Sequence, residues 1–279
     1  MRNRIFSSSA HSTTPQLGVP RHQAGFSLVE LMIAITLGLV VLLAVGSIYI
    51  GSRQTYRVQE DNARIQEAGR YALEVIGRSI RQAGADAEMT FSPVNITQEC
   101  GAPLPAPACV AIDNNGVAAA TDTLRNQFYA GREELNGGVW VARNCLGGVI
   151  AVNALITNIF SLNGASLSCS TGAGVAAQPL VSDVEDLQVI YGIDTTGDQS
   201  ADRYVPAPGN WAQVVTARVC VGVRSANNGL TSAAQTYLNC EGALGNPTGA
   251  ATTTLAGDLR LHRSFVATYN LRNRINGAI

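Results

Sequence analysis

The chain has 279 residues, of which 46% are hydrophobic and 14% charged, and its formal net charge is -1. That balance is globular in class and offers no basic surface that would make nucleic acid a main partner. Lysine is absent altogether, which removes Schiff-base, Ser/Lys and Walker-type P-loop chemistry, each of which needs a lysine amine.

Residues 1–25 carry Arg2, Arg4 and Arg21, the polar stretch "SSSAHSTT" and two prolines. They read as an unstructured cytoplasmic leader. The three arginines favour a cytoplasmic amino terminus, although Arg53 and Arg57 beyond the apolar run weaken that asymmetry.

From Leu31 to Ile50 there are twenty residues without a formal charge. At the helical rise they span roughly 30 Å, the thickness of a bilayer core. Glu30 stands at the head of this run. A cleaved secretory signal would find small residues in "LLAVGS" at 42–47, but signals rarely place a carboxylate at the start of their apolar region. An uncleaved anchor explains the length and not the charge, since a carboxylate inside hydrocarbon costs on the order of 3 kcal/mol or more unless paired.

The string "GFSLVE" from Gly25 to Glu30 resembles the cleavage signature of type IV prepilins. The resemblance implies that a membrane peptidase cuts between Gly25 and Phe26 and methylates the new Phe26 amine. It also implies that Glu30, then the fifth residue, docks against the amino terminus of a neighbouring subunit. Such a pair selects register more than it adds stability. Gly25 would leave the backbone unhindered at the scissile bond. The leader is longer than those common among the archetypal pilins.

The segments 26–50 and 51–83 read as one continuous helix, first a transmembrane or filament-core part and then an amphipathic part. Ile65, Gly69, Ala72, Leu73, Ile76 and Ile80 recur at intervals of three and four and so share a face. Glu60 with Arg64, Arg70 with Glu74, and Glu74 with Arg78 are spaced to support the opposite face. Gly84 is placed to end the helix as a C-cap glycine.

Residues 84–279 read as a β-rich globular head. "SPVNITQECGAPLPAPACVAIDNNG" is a proline-rich connection, and "NGASLSCSTGAGVAA" and "NPTGAATTTLAG" are expected to be loops. Strands are expected in "LRNQFYA", "GGVWVAR", "VEDLQVIYGID", "WAQVVTARVCVGVRS" and "LRLHRSFVATYNLR", with the clearest alternation in the last three. The fold class is therefore α+β, a long amino-terminal helix packed on an antiparallel sheet.

Residues 51–73, 184–205 ("VEDLQVIYGIDTTGDQSADRYV") and 271–274 ("LRNR") resemble the PilW-type minor pilins of type IV pili. This resemblance implies a low-abundance subunit that helps to initiate or cap the fibre, with other pilins as partners and no catalysis. It implies a protein held in the inner membrane with its head in the periplasm, and later exposed outside the cell in the pilus. A minor pseudopilin of a type II secretion system shares the leader and helix, and a pilus-tip adhesin would use the same scaffold; both remain alternatives.

Six cysteines lie beyond the apolar run: Cys100, Cys109, Cys145, Cys169, Cys220 and Cys240. Their even number behind a membrane-targeting segment suggests disulfides in an oxidising compartment. Proximity suggests pairing in chain order, though six cysteines leave the connectivity open. Asp194, Asp198 and Asp202 in "DTTGDQSADR" have a spacing that suits calcium loops, but Thr196, Gln199 and Val205 stand where ligands or a glycine would strengthen one. A hairpin turn with solvated aspartates is the favoured expectation, and no cofactor is expected. His262 is the one histidine beyond the leader; it reads as a strand-face residue and not a general base, and Trp140 and Trp211 read as core or sheet residues.

Overall fold

The computed structural model describes residues 25–84, 110–113, 121–172, 174–245, 253–254 and 257–272. The chain divides into two units, Met1–Ser52 and Arg53–Ile279, and one helix, α1 (Leu28–Gln82), runs through the division.

In the first unit the large apolar side chains of α1, from Leu28 to Ile50, are exposed. Its length and apolar composition suffice to cross a membrane. Two of the hydroxyls within it are satisfied locally: Thr36 Oγ1 donates to the Ile33 carbonyl at 2.9 Å and Ser47 Oγ to that of Ala44 at 2.8 Å. Bonds of this kind spare a hydroxyl the cost of going unpaired in hydrocarbon.

The second unit contains, in chain order, the rest of α1, β1 (Val110–Asp113), β2 (Thr123–Tyr129), β3 (Glu134–Asn136), β4 (Val139–Arg143), β5 (Val149–Ala151), β6 (Leu155–Asn163), β7 (Ser166–Ser170), β8 (Gln178–Ser182), β9 (Val184–Ile193), β10 (Arg203–Val205), β11 (Val214–Arg224), β12 (Thr236–Tyr237), a short helix α2 (Cys240–Ala243), β13 (Thr253–Thr254) and β14 (His262–Asn270). All strand pairs are antiparallel. The larger sheets have the orders β1-β2-β6-β7-β8 and β10-β9-β11-β14, and β3-β4-β5 and β12-β13 form smaller ones.

The alternation visible in the sequence of β9 places Leu187, Val189 and Tyr191 on one face, where they join Ala217, Val219 and Val221 of β11 in the core. Leu124, Phe160 and Leu167 of the five-stranded sheet belong to the same cluster, so the two sheets and the amphipathic half of α1 share one interior. The three-stranded sheet covers a satellite core, with Ala142 and Ile150 lying on Phe128, Ala130 and Ile156.

Two expected loops are corrected. "NGASLSCSTGAGVAA" contains β7, because Gly164 at φ 62 opens a two-residue turn that pairs Asn163 with Ser166 and sends Leu167 and Cys169 into the core. The proline-rich connection contains β1, which pairs with β2 from Val110 opposite Asn126 to Asp113 opposite Thr123. Of "NPTGAATTTLAG", residues 253–254 form β13, and most of the remainder lies outside the described residues.

The helix face read from the sequence is the one that docks. Ile65, Gly69, Ala72, Ile76 and Ile80 are buried, joined by Asp61, Gly77 and Ser79. The glycines admit aromatic rings of β14: a side chain at Gly69 would collide with Phe265, and one at Gly77 with Tyr269. The Tyr269 hydroxyl then donates to the Leu73 carbonyl at 2.6 Å. Polar groups fix the register. Ser79 Oγ donates to Asn126 Oδ1 at 2.8 Å and accepts from Asn158 Nδ2 at 2.8 Å, while the Ser79 carbonyl accepts from Asn126 Nδ2 at 2.9 Å. Near the other end, Asn227 Nδ2 donates to both oxygens of the buried Asp61 at 3.2 and 3.1 Å. A helix slipped by one turn would strand these buried groups, so the network specifies one seating.

Gly84, at φ 73, ends the helix, and its N–H donates to the Gln127 carbonyl of β2 at 2.9 Å. On the exposed face Glu60 and Arg64 pair at 2.6 Å as their spacing expects, whereas Arg70 turns to Glu67 at 3.9 Å instead of Glu74. Such pairs contribute a few tenths of a kcal/mol each.

Candidate functional site

The signature residues are Gly25, Phe26 and Glu30. Gly25, Phe26 and Ser27 precede the first helical residue, Leu28. A side chain built on Gly25 would meet no atom within 4 Å, and Phe26 is 86% exposed. Both residues of that peptide are therefore exposed. Helical hydrogen bonding starts with the Leu31 N–H, which donates to the Ser27 carbonyl at 3.0 Å. This makes Ser27 the N-cap position. Glu30 falls in the first turn, where a carboxylate is favoured by the unpaired N–H groups of the helix start.

Ser27 belongs to the signature string, and with Glu30 it has the S-x-x-E spacing of a capping box, ahead of an apolar run.

In the head, two of the expected disulfides are formed, Cys145–Cys169 and Cys220–Cys240. The first joins the segment after β4 to β7, and the second ties α2 to the outer face of β11. Cys100 and Cys109 lie outside the described residues.

The loop from Asp194 to Asp202 is stitched by its own carboxylates. Asp194 Oδ1 accepts the N–H groups of Gly197 at 2.6 Å and Thr196 at 3.0 Å, and Oδ2 accepts that of Gln199 at 2.7 Å. Asp202 Oδ2 accepts the hydroxyl and the N–H of Thr195 at 2.6 and 2.7 Å, and Asp198 Oδ1 accepts the Ser200 N–H at 2.8 Å. The Gly197 N–H leads in holding the Asp194 carboxyl below its usual range, and the Thr195 hydroxyl does so for Asp202. Among the described residues, no three His, Cys, Asp or Glu side chains are grouped to hold a metal ion.

His262 sits on β14 with its side chain 1% exposed and its Nδ1 2.7 Å from Glu185 Oε1, stacked on Tyr237 at 4.7 Å between ring centroids. Trp211 meets Tyr191 edge-on at 4.9 Å, as a core residue does. Trp140 is a sheet residue of β4 and 46% exposed.

Residues 20–46 match the model of the prokaryotic N-terminal methylation motif, and residues 150–273 match that of Type IV Pilus-assembly protein W. No curated protein matches the chain. Among solved structures, a type IV-like pilin from Thermus thermophilus is 13% identical, with a TM-score of 0.44 over 75% of this chain and 98% of that one. The GspK-GspI-GspJ complex of the enterotoxigenic Escherichia coli type 2 secretion system contains a chain 14% identical, with a TM-score of 0.33 over 56% of this chain and 87% of that one.

A long amino-terminal helix followed by antiparallel sheets makes an α+β, type IV pilin-like fold, and the head of the helix carries the N-terminal methylation motif. Over residues 150–273 the chain is similar to the Type IV Pilus-assembly protein W family.

Proposed function

We propose that the protein is a minor pilin that takes part in the assembly or initiation of a type IV pilus after cleavage between Gly25 and Phe26. The observation that carries this reading is the placement of Glu30 in the first turn of an exposed apolar helix, three residues after an open Gly25–Phe26–Ser27 segment. In this reading the prepilin peptidase is the first partner and methylates the Phe26 amine. Other minor pilins and the major pilin are the later ones. The protein waits in the inner membrane with its head in the periplasm, and the fibre carries it outside the cell. In the filament the Glu30 carboxylate meets a neighbour's terminal amine, turning two costly buried charges into a pair. The work is assembly, and no catalytic step is assigned to any residue.

The test is intact-mass and amino-terminal analysis of protein from cells with and without the peptidase, together with a Glu30→Ala variant scored for fibre incorporation. The expected result is a methylated Phe26 terminus that appears only with the peptidase. Glu30→Ala is expected to be cleaved yet to fall at least about tenfold in fibre content, since breaking a buried ion pair leaves one charge uncompensated. An intact Met1, or a terminus near Gly46, would defeat the reading.

We further propose that the Asp194–Asp202 loop is a hydrogen-bonded turn and not a calcium site, since its carboxylates already hold backbone N–H donors. Calcium titration at millimolar concentration is expected to give no binding heat and no change in melting temperature. A rise of several degrees would reverse this.

A further inference from the structure

The pilin reading gives His262 no work. β14 turns Phe265 and Tyr269 towards α1, so strand alternation puts His262 and Ser264 on the opposite face. The chain between β11 and β14 covers them there: the Ser264 hydroxyl donates to the Leu238 carbonyl at 2.7 Å, and the His262 N–H donates to Gln235 Oε1 at 3.0 Å. The imidazole is 1% exposed. Its Nδ1 lies 2.7 Å from Glu185 Oε1, which also accepts the Tyr237 hydroxyl at 3.2 Å. Its Nε2 lies 3.5 Å from Asp258 Oδ2 and has no hydrogen bond among the described residues.

Carboxylate oxygens only accept, so the Nδ1 proton goes to Glu185 in either state of the ring. The two states differ at Nε2. In the neutral imidazole it is a lone pair facing Asp258, an acceptor against an acceptor. In the imidazolium it is an N–H, and the same contact becomes a charge-assisted pair. The stacked Tyr237 ring, 4.7 Å away, adds an attraction for the cation.

Both signs of charge surround the ring. Burial, and then the charges of Glu185, Asp186 and Asp258, push the Tyr237 hydroxyl up, and burial with the charges of Glu185 and Glu241 raises Asp186. β9 thus contributes Glu185 and Asp186, α2 contributes Glu241, and the approach to β14 contributes Asp258. Arginines oppose them: Arg260 reaches Asp258 at 3.7 Å, Arg224 is the β11 partner of His262, and Arg263 follows it in an exposed position.

Asp258 begins the strip that holds the cover in place. The Leu259 N–H donates to Asn228 Oδ1 at 3.0 Å, and the Leu259 carbonyl accepts the N–H groups of Leu230 and Thr231 at 3.0 and 3.1 Å. The Leu261 carbonyl accepts the Ser225 N–H at 2.8 Å. We propose that His262 is a proton-operated clasp: with its second proton the ring draws Asp258 against β14 and closes residues 225–238 and 257–261 over the sheet, and without it they loosen. The clasp stands apart from the prepilin reading, since every group in it belongs to the head.

The test is hydrogen exchange of the full chain in lipid nanodiscs at about pH 5.5 and about pH 8, on either side of the ordinary imidazole range and corrected for the intrinsic rate. Protection of 225–238 and 257–261 in the parent is expected to be about fivefold higher at the lower pH. His262→Gln keeps a donor for Glu185 and takes up no proton, and Asp258→Asn keeps the shape without the charge. Both variants should lose most of that step. Asp122 titrates as well, but it lies between the two larger sheets, and its effect persists in both variants. A parent without the step, or an Asp258→Asn variant that keeps it in full, overturns the clasp. If His262→Gln fails to fold, Asp258→Asn, at a partly exposed position, decides alone.

Discussion

Replacing Asp122 by asparagine is expected to stabilise the head at neutral pH by roughly 2–3 kcal/mol. Asp122, just ahead of β2, is 1% exposed. Its N–H donates to the Leu187 carbonyl at 2.8 Å and its Oδ2 accepts the Val189 N–H at 2.8 Å, which locks it between the two larger sheets. Its Oδ1 is buried without a partner, as is the hydroxyl of the fully buried Tyr191. Burial is the main cause that pushes the Asp122 carboxyl up to about 6; the charge of Asp186 adds to it and the Val189 N–H works against it. A folded-state pKa above the unfolded one means that the folded chain holds the proton more tightly. The resulting stabilisation is complete below about pH 4 and is lost as pH rises through about 6. Asparagine keeps an acceptor for Val189 and never ionises. Urea unfolding from pH 4 to pH 8 should show the parent weakening across that interval and the variant lacking this component of the decline. A variant that is weaker than the parent at pH 8 would refute the account.

Removing the Cys220–Cys240 disulfide with a double alanine substitution is expected to cost about 3 kcal/mol, the entropy of closing a loop of that length in the unfolded chain. The two cysteines are 20 residues apart in sequence and both fully buried, against Leu244, Ile190 and Ala243. Lost sulfur packing adds to the loss. For a domain of this size the melting temperature should fall by roughly 5–10 °C. Hydrogen exchange should rise first in α2 and the neighbouring residues 236–245, which the bridge ties to β11. Uniform protection there in the double variant would show that side-chain packing alone holds α2 down.

The parts of this molecule legible in its sequence are those whose physics is local. The apolar run and Glu30 are read from composition, the docking face of α1 from its three-four spacing, Gly84 from its place after the last helical turn, and β9, β11 and β14 from alternation. The parts that escaped depend on partners far along the chain. β7 is a serine-rich stretch between glycines, and only its pairing with β6 makes it a strand. Asp61 interrupts an apolar face and looks like an error in the pattern until Asn227, 166 residues later, is found against it. Ser79 is a polar residue on a buried stripe for the same reason, with Asn126 and Asn158 as its partners. At the candidate site Gly25, Phe26, Ser27 and Glu30 were legible together, because the signature is one contiguous string.

The glycine sockets of α1 set an order of events during synthesis. Phe265 and Tyr269 fill the places opposite Gly69 and Gly77, and the Tyr269 hydroxyl reaches a carbonyl 196 residues earlier in the chain. A ribosome delivers the helix long before it delivers these rings, so for most of the time that the chain is being made its buried face has glycine notches and nothing to put in them. The head therefore closes late, through contacts of high sequence separation, which makes it a slow folder by topology. Until closure its apolar helix face is open to chaperones or to other chains. A premature stop before residue 265 removes both wedges, and with them the closure of a head whose other core strands have already been made.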